Sequence, residues 1–331
     1  MAFSTLYYTI LNKPFFIDLR RIDAQAVLID KFLSHDTADM SADRLSDRRP
    51  MEVGVVADVT SPDPSCRRGA YTTSPDPSCR RGAYTVQVRS KGKGGTFDDA
   101  PEGSVAVIAL KGDMMKEDTY CSYGTEEVAA AIREAAASEN IIGIRLNIDS
   151  GGGAVDAIAP MLDAIAFSQS MQKPVVASCD LCASAAYYVA CHCDEIVADN
   201  AISAEFGSIG VMMQFPDYAK YYEQKGIKVH TIYSDLSTYK NAPFEAALKG
   251  DYKSIKEEQL NPLAREFQQA VRLHRSNLDE KVDGILAGRM FYAADARKYG
   301  LIDAIGSSDT ATAEVRRLSA QMQLSRYAAT V

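Results

Sequence analysis

The sequence predicts an α/β domain built on a mostly parallel sheet. Three observations carry this. Short apolar runs bounded by Gly or Pro recur after residue 104, stretches with helical signals separate them, and the strand-to-helix junctions are rich in small residues. Strands that alternate with helices in this way pair in parallel, through right-handed crossovers.

Taken in order, residues 105–110 (VAVIAL) form an apolar run between Gly103 and Gly112, as expected of a buried strand. Thr125 followed by Glu126 and Glu127 reads as an N-cap with acidic residues in the first turn, and Val128 and Ile132 supply the helix stripe. A second strand over 141–148 runs into Ser150-Gly151-Gly152-Gly153, and a helix is predicted over 154–170. A third strand, 174–178, leads to a small-residue helix from about residue 183 and then to a strand over 195–198. Further on come a helix at 216–225, a strand at 227–233, a helical region at 251–276 and a closing segment at 288–306. The Ala-, Ser- and Thr-rich remainder reads as a peripheral helix.

Upstream the texture differs. Residues 1–35 read as an N-terminal helical segment with apolar positions among charges. Residues 36–103 have the Asp, Ser, Pro, Arg and Gly composition of a disordered linker. Within it, residues 60–72 (TSPDPSCRRGAYT) recur letter for letter at 73–85. Identical copies this short point to a recent duplication in a tolerant loop, with no function assigned. The expected organisation is therefore 1–35, 36–103, a catalytic-type domain at 104–306 and a tail at 307–331.

Composition narrows the function. The 331-residue chain holds 36 basic and 44 acidic side chains, a net charge of −8, which disfavours a nucleic-acid partner and leaves proteins or small molecules. No run approaches the length of a membrane span, and the start lacks a secretory signal pattern, so a cytoplasmic location is expected. Seven cysteines, an odd number in a large chain, argue against a disulfide framework. Cys179, Cys182, Cys191 and Cys193 with His192 invite a zinc reading. Cys191 and Cys193, however, point about 200° apart on a helix, so buried packing is the expectation and no metal or cofactor is assigned.

Two junctions could carry chemistry. Asp149-Ser150-Gly151-Gly152-Gly153 lets a backbone come close to a ligand and aims N–H groups at an anion, although a plain tight turn explains it equally well. It matches neither dinucleotide-binding nor phosphate-loop patterns. At Cys182-Ala183-Ser184-Ala185-Ala186-Tyr187-Tyr188 a serine stands among alanines at a helix start. There its hydroxyl is unencumbered and the helix dipole favours a developing oxyanion, while a capping role for Ser184 is the ordinary alternative.

The order of four motifs is recognisable: RLNIDSGGGAV at 145–155, CASAAYYVACHCDEIVADNAISAEFGSIGV at 182–211, STYKNAPFEAAL at 237–248 and GRMFYAADARKYGLIDAIG at 288–306. Together they resemble the signal peptide peptidase A family of serine peptidases, over residues 104–306. The N-terminal ILNKPFFIDLRRIDA at 10–24 and the lack of a membrane anchor make the phage head-maturation branch the most similar. Ser184-Ala185-Ala186-Tyr187 replaces the family's usual Ser-Gly-Gly-Tyr, and Gly151 stands where many members have proline. The resemblance implies a Clp protease/crotonase-like fold, Ser184 as nucleophile and Lys240 as general base. It also implies an oxyanion hole from the N–H groups of Gly152, Gly153 and Ala185.

A free lysine titrates at about 10.4, so a neutral base near pH 7 costs roughly 4 kcal/mol, which burial must supply. Tyr239, Ala242, Pro243 and Phe244 are apolar enough to do so, against the opposing pull of the acidic chain. A histidine triad fits less well. His35 lies in the linker region, His192 sits two turns beyond Ser184, His230 falls in a predicted strand and His274 lies late on a helix. The resemblance further implies a ring-like homo-oligomer whose subunits share Ser184 and Lys240 across an interface, with scaffold or capsid precursor protein as substrate. A cytosolic protease of the same family, a crotonase-type acyl-CoA enzyme and an inactive structural prohead protein are the alternatives.

Overall fold

A computed structural model describes residues 15–17, 52–57, 97–118, 123–215 and 217–330. Its strands are β1 (Phe15–Ile17), β2 (Val53–Val56), β3 (Ser104–Lys111), β4 (Ile141–Ser150), β5 (Gly152–Ala154), β6 (Val175–Ala183), β7 (Glu195–Ala198), β8 (Glu205–Gly207), β9 (Met290–Tyr292) and β10 (Ala304–Ile305). The helices are α1 (Thr125–Ala137), α2 (Ile158–Ser170), α3 (Ala185–Cys191), α4 (Ala219–Gln224), α5 (Ala242–Leu248), α6 (Asn261–His274), α7 (Ala293–Lys298) and α8 (Ser308–Thr330).

The main sheet runs β10-β7-β6-β4-β3-β2, with β8 beside the end of β6 and β9 beside β8. β10, β7, β6, β4 and β3 are mutually parallel, as is β8 to β6, whereas β2 and β9 are antiparallel to their neighbours. This is the expected α/β architecture with a mostly parallel sheet. The near-continuous apolar runs follow from burial on both faces. Along β3, Ala106, Ile108 and Leu110 enter the large core shared with α1, α2, α3 and α6, while Val105 turns to the other face. There it meets Val176 and Val197 of the sheet and Ala311 and Val315 of α8.

Several expectations need correction. Thr125 is not the cap of α1. Gly124 is, with its N–H on Asp118 Oδ1 at 2.8 Å, while the buried Thr125 Oγ1 finds no partner. Within the stretch expected to be linker, β2 pairs antiparallel with β3, and Phe97 is buried in the core, because their apolar side chains complete the sheet's open edge and one helix-facing surface. Residues 15–17, inside the expected helical segment, form a strand instead. The remaining residues of 1–35, the duplication at 60–85, Cys66, Cys79, Cys121 and His35 lie outside the described residues.

The tail is no periphery. Arg145, buried on β4, donates to the Ser308 carbonyl at 2.8 Å and to Thr312 Oγ1 at 2.7 Å, and so ties α8 to the sheet. Residues 227–233 are not a strand. Their apolar Ile227, Val229 and Ile232 lie exposed on an irregular excursion, and among the described residues no strand pairs with it. The helix expected at 216–225 is the shorter α4, and the region expected at 251–276 is helical from Lys253 to His274, through a π-turn at Lys256–Leu260.

Candidate active site

Two strand ends build the site. β4 and β6 are parallel neighbours, with Ser150 in register with Cys182, so the glycine turn after β4 and the serine after β6 emerge side by side at the carboxyl edge of the sheet. On the far side of β6, β8 is in register through Ala183 and Gly207, and the Ser184 N–H donates to the Gly207 carbonyl at 2.9 Å.

Ser184 occupies the N-cap position of α3, yet its side chain makes no capping bond. Its backbone sits at φ 54°, ψ −120°, a sharp strand-to-helix turn in a region that L-residues avoid. This is the conformation of a nucleophile elbow, in which strain presents a hydroxyl at the start of a helix. The capping role is thereby set aside. The residue is buried, 1% exposed. Ala185 opens α3, and the first N–H groups of a helix have no acceptor within it.

The glycine turn forms β5. The Gly152 carbonyl accepts from the Met114 N–H at 2.8 Å and the Ala154 N–H donates to the Met114 carbonyl at 2.8 Å, so both groups face Met114. Alternation along a strand then sends the N–H and C=O of Gly153 to the opposite edge. A side chain at 153 would put its Cβ 2.0 Å from the Met114 carbonyl oxygen, which is why glycine stands there. Gly152, at φ 98°, donates its N–H to Ser150 Oγ at 3.1 Å, and that hydroxyl in turn donates to the Gly112 carbonyl at 2.6 Å. Sequence reasoning missed Ser150 and Met114 as the supports of this turn. Ser150 at least adjoins the glycines, whereas nothing marks Met114.

The fifth predicted position has a different setting. Lys240 is exposed on a turn just before α5, and among the described residues no hydrogen bond joins it to Ser184. Of the neighbours expected to desolvate it, Pro243 is buried and Phe244 rests its edge on Phe215 at 5.8 Å, but Tyr239 is 61% exposed, with its hydroxyl donating to Glu258 at 2.5 Å. The paired ends of β4 and β6 bring Ser184 and Ala185 beside the glycine turn, whereas among the described residues no hydrogen bond links Lys240 to either.

Among the described residues the histidines offer no substitute. His192 stacks on Tyr188 at 5.2 Å, bonds the Tyr188 carbonyl through Nδ1 at 2.9 Å and lies 4.1 Å from His274, with burial lowering the pKa of both rings. His230 is exposed on the irregular excursion. Cys179, Cys182, Cys191 and Cys193 are buried free thiols whose pKa values burial raises, that of Cys191 to about 12, so they are protonated and unreactive near neutrality.

Residues 168–322, which include the serine elbow and the lysine turn, match the family model Peptidase family S49. The chain is 26% identical over 220 residues to Protease 4 of Salmonella typhi, covering 66% of this chain and 35% of that protein. It is 28% identical over 202 residues to the head-tail preconnector protein GP5 of Enterobacteria phage P21, covering 60% of this chain and 39% of the other. With the chloroplastic serine protease SPPA of Arabidopsis thaliana it shares 32% identity over 194 residues, 57% of this chain and 28% of that one. The chain thus spans well under half the length of each of these relatives. Residues 168–322 thus resemble peptidase family S49, and the chain is similar in sequence to two proteins named as proteases and to one phage head-tail preconnector protein.

Proposed function

We propose that this chain is a serine endopeptidase in which Ser184 is the nucleophile and Lys240 the general base, acting in phage head maturation on scaffold or capsid precursor protein. The observation that carries the reading is the backbone of Ser184, held at positive φ on a strand-to-helix turn with its hydroxyl free of any capping duty. A helix cap needs no such strain, whereas a nucleophile that must stand clear of the sheet does.

In the proposed reaction Ser184 Oγ attacks the carbonyl carbon of an extended peptide while Lys240 Nζ takes the hydroxyl proton. The oxyanion is met by the Ala185 N–H and by the glycine turn, where the Gly152 N–H would exchange its long bond to Ser150 Oγ for the developing charge. Lys240 returns the proton to the leaving amine. A water, deprotonated in the same way, then releases the acyl group from Ser184. Because Lys240 is exposed in the single chain, the reading includes its delivery to Ser184 of a neighbouring subunit in a ring-like homo-oligomer, where contact with that subunit strips its water. The relationship to the phage P21 protein supports the head-maturation setting.

Intact mass of wild type and Ser184→Ala, each incubated with an unstructured protein, tests the activity. Fragments from wild type and none from a folded Ser184→Ala are expected. Fragments from both, or from neither while the wild type is folded and assembled, would overturn it.

A further inference from the structure

Among the described residues, β1 and β5 form a two-stranded sheet of their own, apart from the sheet that builds the fold. β1, residues Phe15–Ile17, runs antiparallel to β5, with Phe15, Phe16 and Ile17 in register with Ala154, Gly153 and Gly152. It lies along the edge to which Gly153 directs its N–H and C=O, since Met114 takes the other edge. In an antiparallel ladder a register pair that faces inward exchanges both N–H···O=C bonds, and Phe16 with Gly153 is so placed. That edge adjoins the Ser184 turn, since β5 packs on α3 and Ser150 is in register with Cys182.

An edge of this kind accepts any extended backbone by strand addition, and one strand excludes another. We propose that the N-terminal segment is an intramolecular occupant of the substrate edge: β1 takes the place of an extended apolar peptide beside Ser184 and competes with substrate for Gly153. This rests on the peptidase reading of the site above. Residues 18–52 separate β1 from β2, so β1 can leave the edge while β2 stays in the sheet. With only three residues paired, the strand is short enough to be displaced. Such a device would hold the site closed until a substrate strand of higher affinity arrives or the N-terminal segment is removed.

The test uses the full chain and Phe16→Pro, which deletes the one N–H of β1 aimed at Gly153 and forbids a central ladder position. Phe16→Gly, which weakens the strand without a ring, is the second variant should the first not fold. Amide hydrogen exchange at Gly153 is read first and needs no activity. Exchange faster by about tenfold or more in the variant is expected, and equal exchange in both proteins overturns the proposal. On an unstructured protein substrate, the variant should show KM lowered about fivefold or more with kcat within about twofold, as release of a tethered competitor requires. Faster exchange with unchanged KM, in two active proteins, overturns the proposal and leaves the peptidase reading standing. If neither protein cleaves, the peptidase reading fails on its own. Occupancy of the edge is then decided by a synthetic peptide of residues 13–20, which should bind the variant and not the wild type. Binding to neither, or equal binding to both, overturns it.

Discussion

Ser184 holds a strained backbone that the proposed nucleophile role would explain, and the strain is measurable without chemistry. At φ 54°, ψ −120° a Cβ is unwelcome, and a residue without one sits there at little cost. Replacing the serine by alanine keeps the Cβ and the strain, whereas glycine removes both and gives back part of the gain through its freer unfolded chain. Ser184→Gly should therefore be more stable than Ser184→Ala by about 1 kcal/mol, read from urea unfolding of the two variants side by side. A Ser184→Gly no more stable than Ser184→Ala would mean that the elbow is relaxed and the argument from strain is wrong. The serine itself was readable in the sequence, because a lone hydroxyl among Cys182, Ala183, Ala185 and Ala186 at a strand end has few uses. Its backbone angle was not, since positive φ is ordinarily announced by Gly or Asn and here is imposed by neighbours, through the Ser184 N–H on the Gly207 carbonyl.

The strands at 105–110, 141–148 and 195–198 were readable because burial on both faces leaves an unbroken apolar run, which the turns at either end delimit. The elements misjudged are those whose partners lie far away in sequence. The α8 segment has Ala311 and Val315 among Ser, Thr and Arg, too sparse a stripe to announce a buried face, yet it covers Val105, Val176 and Val197. β2 is four residues long and pairs with β3 half a hundred positions on. Residues 227–233 failed in the opposite sense: the apolar Ile227, Val229 and Ile232 suggest a strand, but among the described residues no strand pairs with them. The role of α8 predicts a cost. Val315 is fully buried against the sheet, so Val315→Ala should lower stability by about 1–3 kcal/mol through lost transfer energy and an unfilled space. Chemical denaturation would measure it, and a loss below about 0.5 kcal/mol, the ordinary range for an exposed site, would show α8 to be the periphery that its composition suggests.

Taken as a whole, the molecule keeps its proposed nucleophile buried and its proposed base in the open, and the excursion that carries the base also exposes several apolar side chains. Ile232 is 91% exposed, Leu236 95%, Val229 66% and Tyr239 61%, all within a dozen residues of Lys240. Exposed aliphatic and aromatic groups clustered in this way mark a contact surface, and a contact there would desolvate Lys240, as a neutral lysine requires. If each active site takes Ser184 from one subunit and Lys240 from the next, neither Ser184→Ala nor Lys240→Ala cleaves alone, but an assembly formed from equal amounts of both contains intact sites. In a ring of heterologous contacts about a quarter of the interfaces then pair an intact Ser184 with an intact Lys240, so about a quarter of the wild-type activity should return on mixing under conditions that allow subunit exchange. The same reading makes specific activity of the wild type fall on dilution through the assembly constant. Mixing that restores nothing while the two variants demonstrably co-assemble would require Ser184 and Lys240 of the same chain to meet. That would call for the exposed excursion to fold back on its own subunit, a rearrangement that buries Ile232 and Leu236 against the domain that carries them.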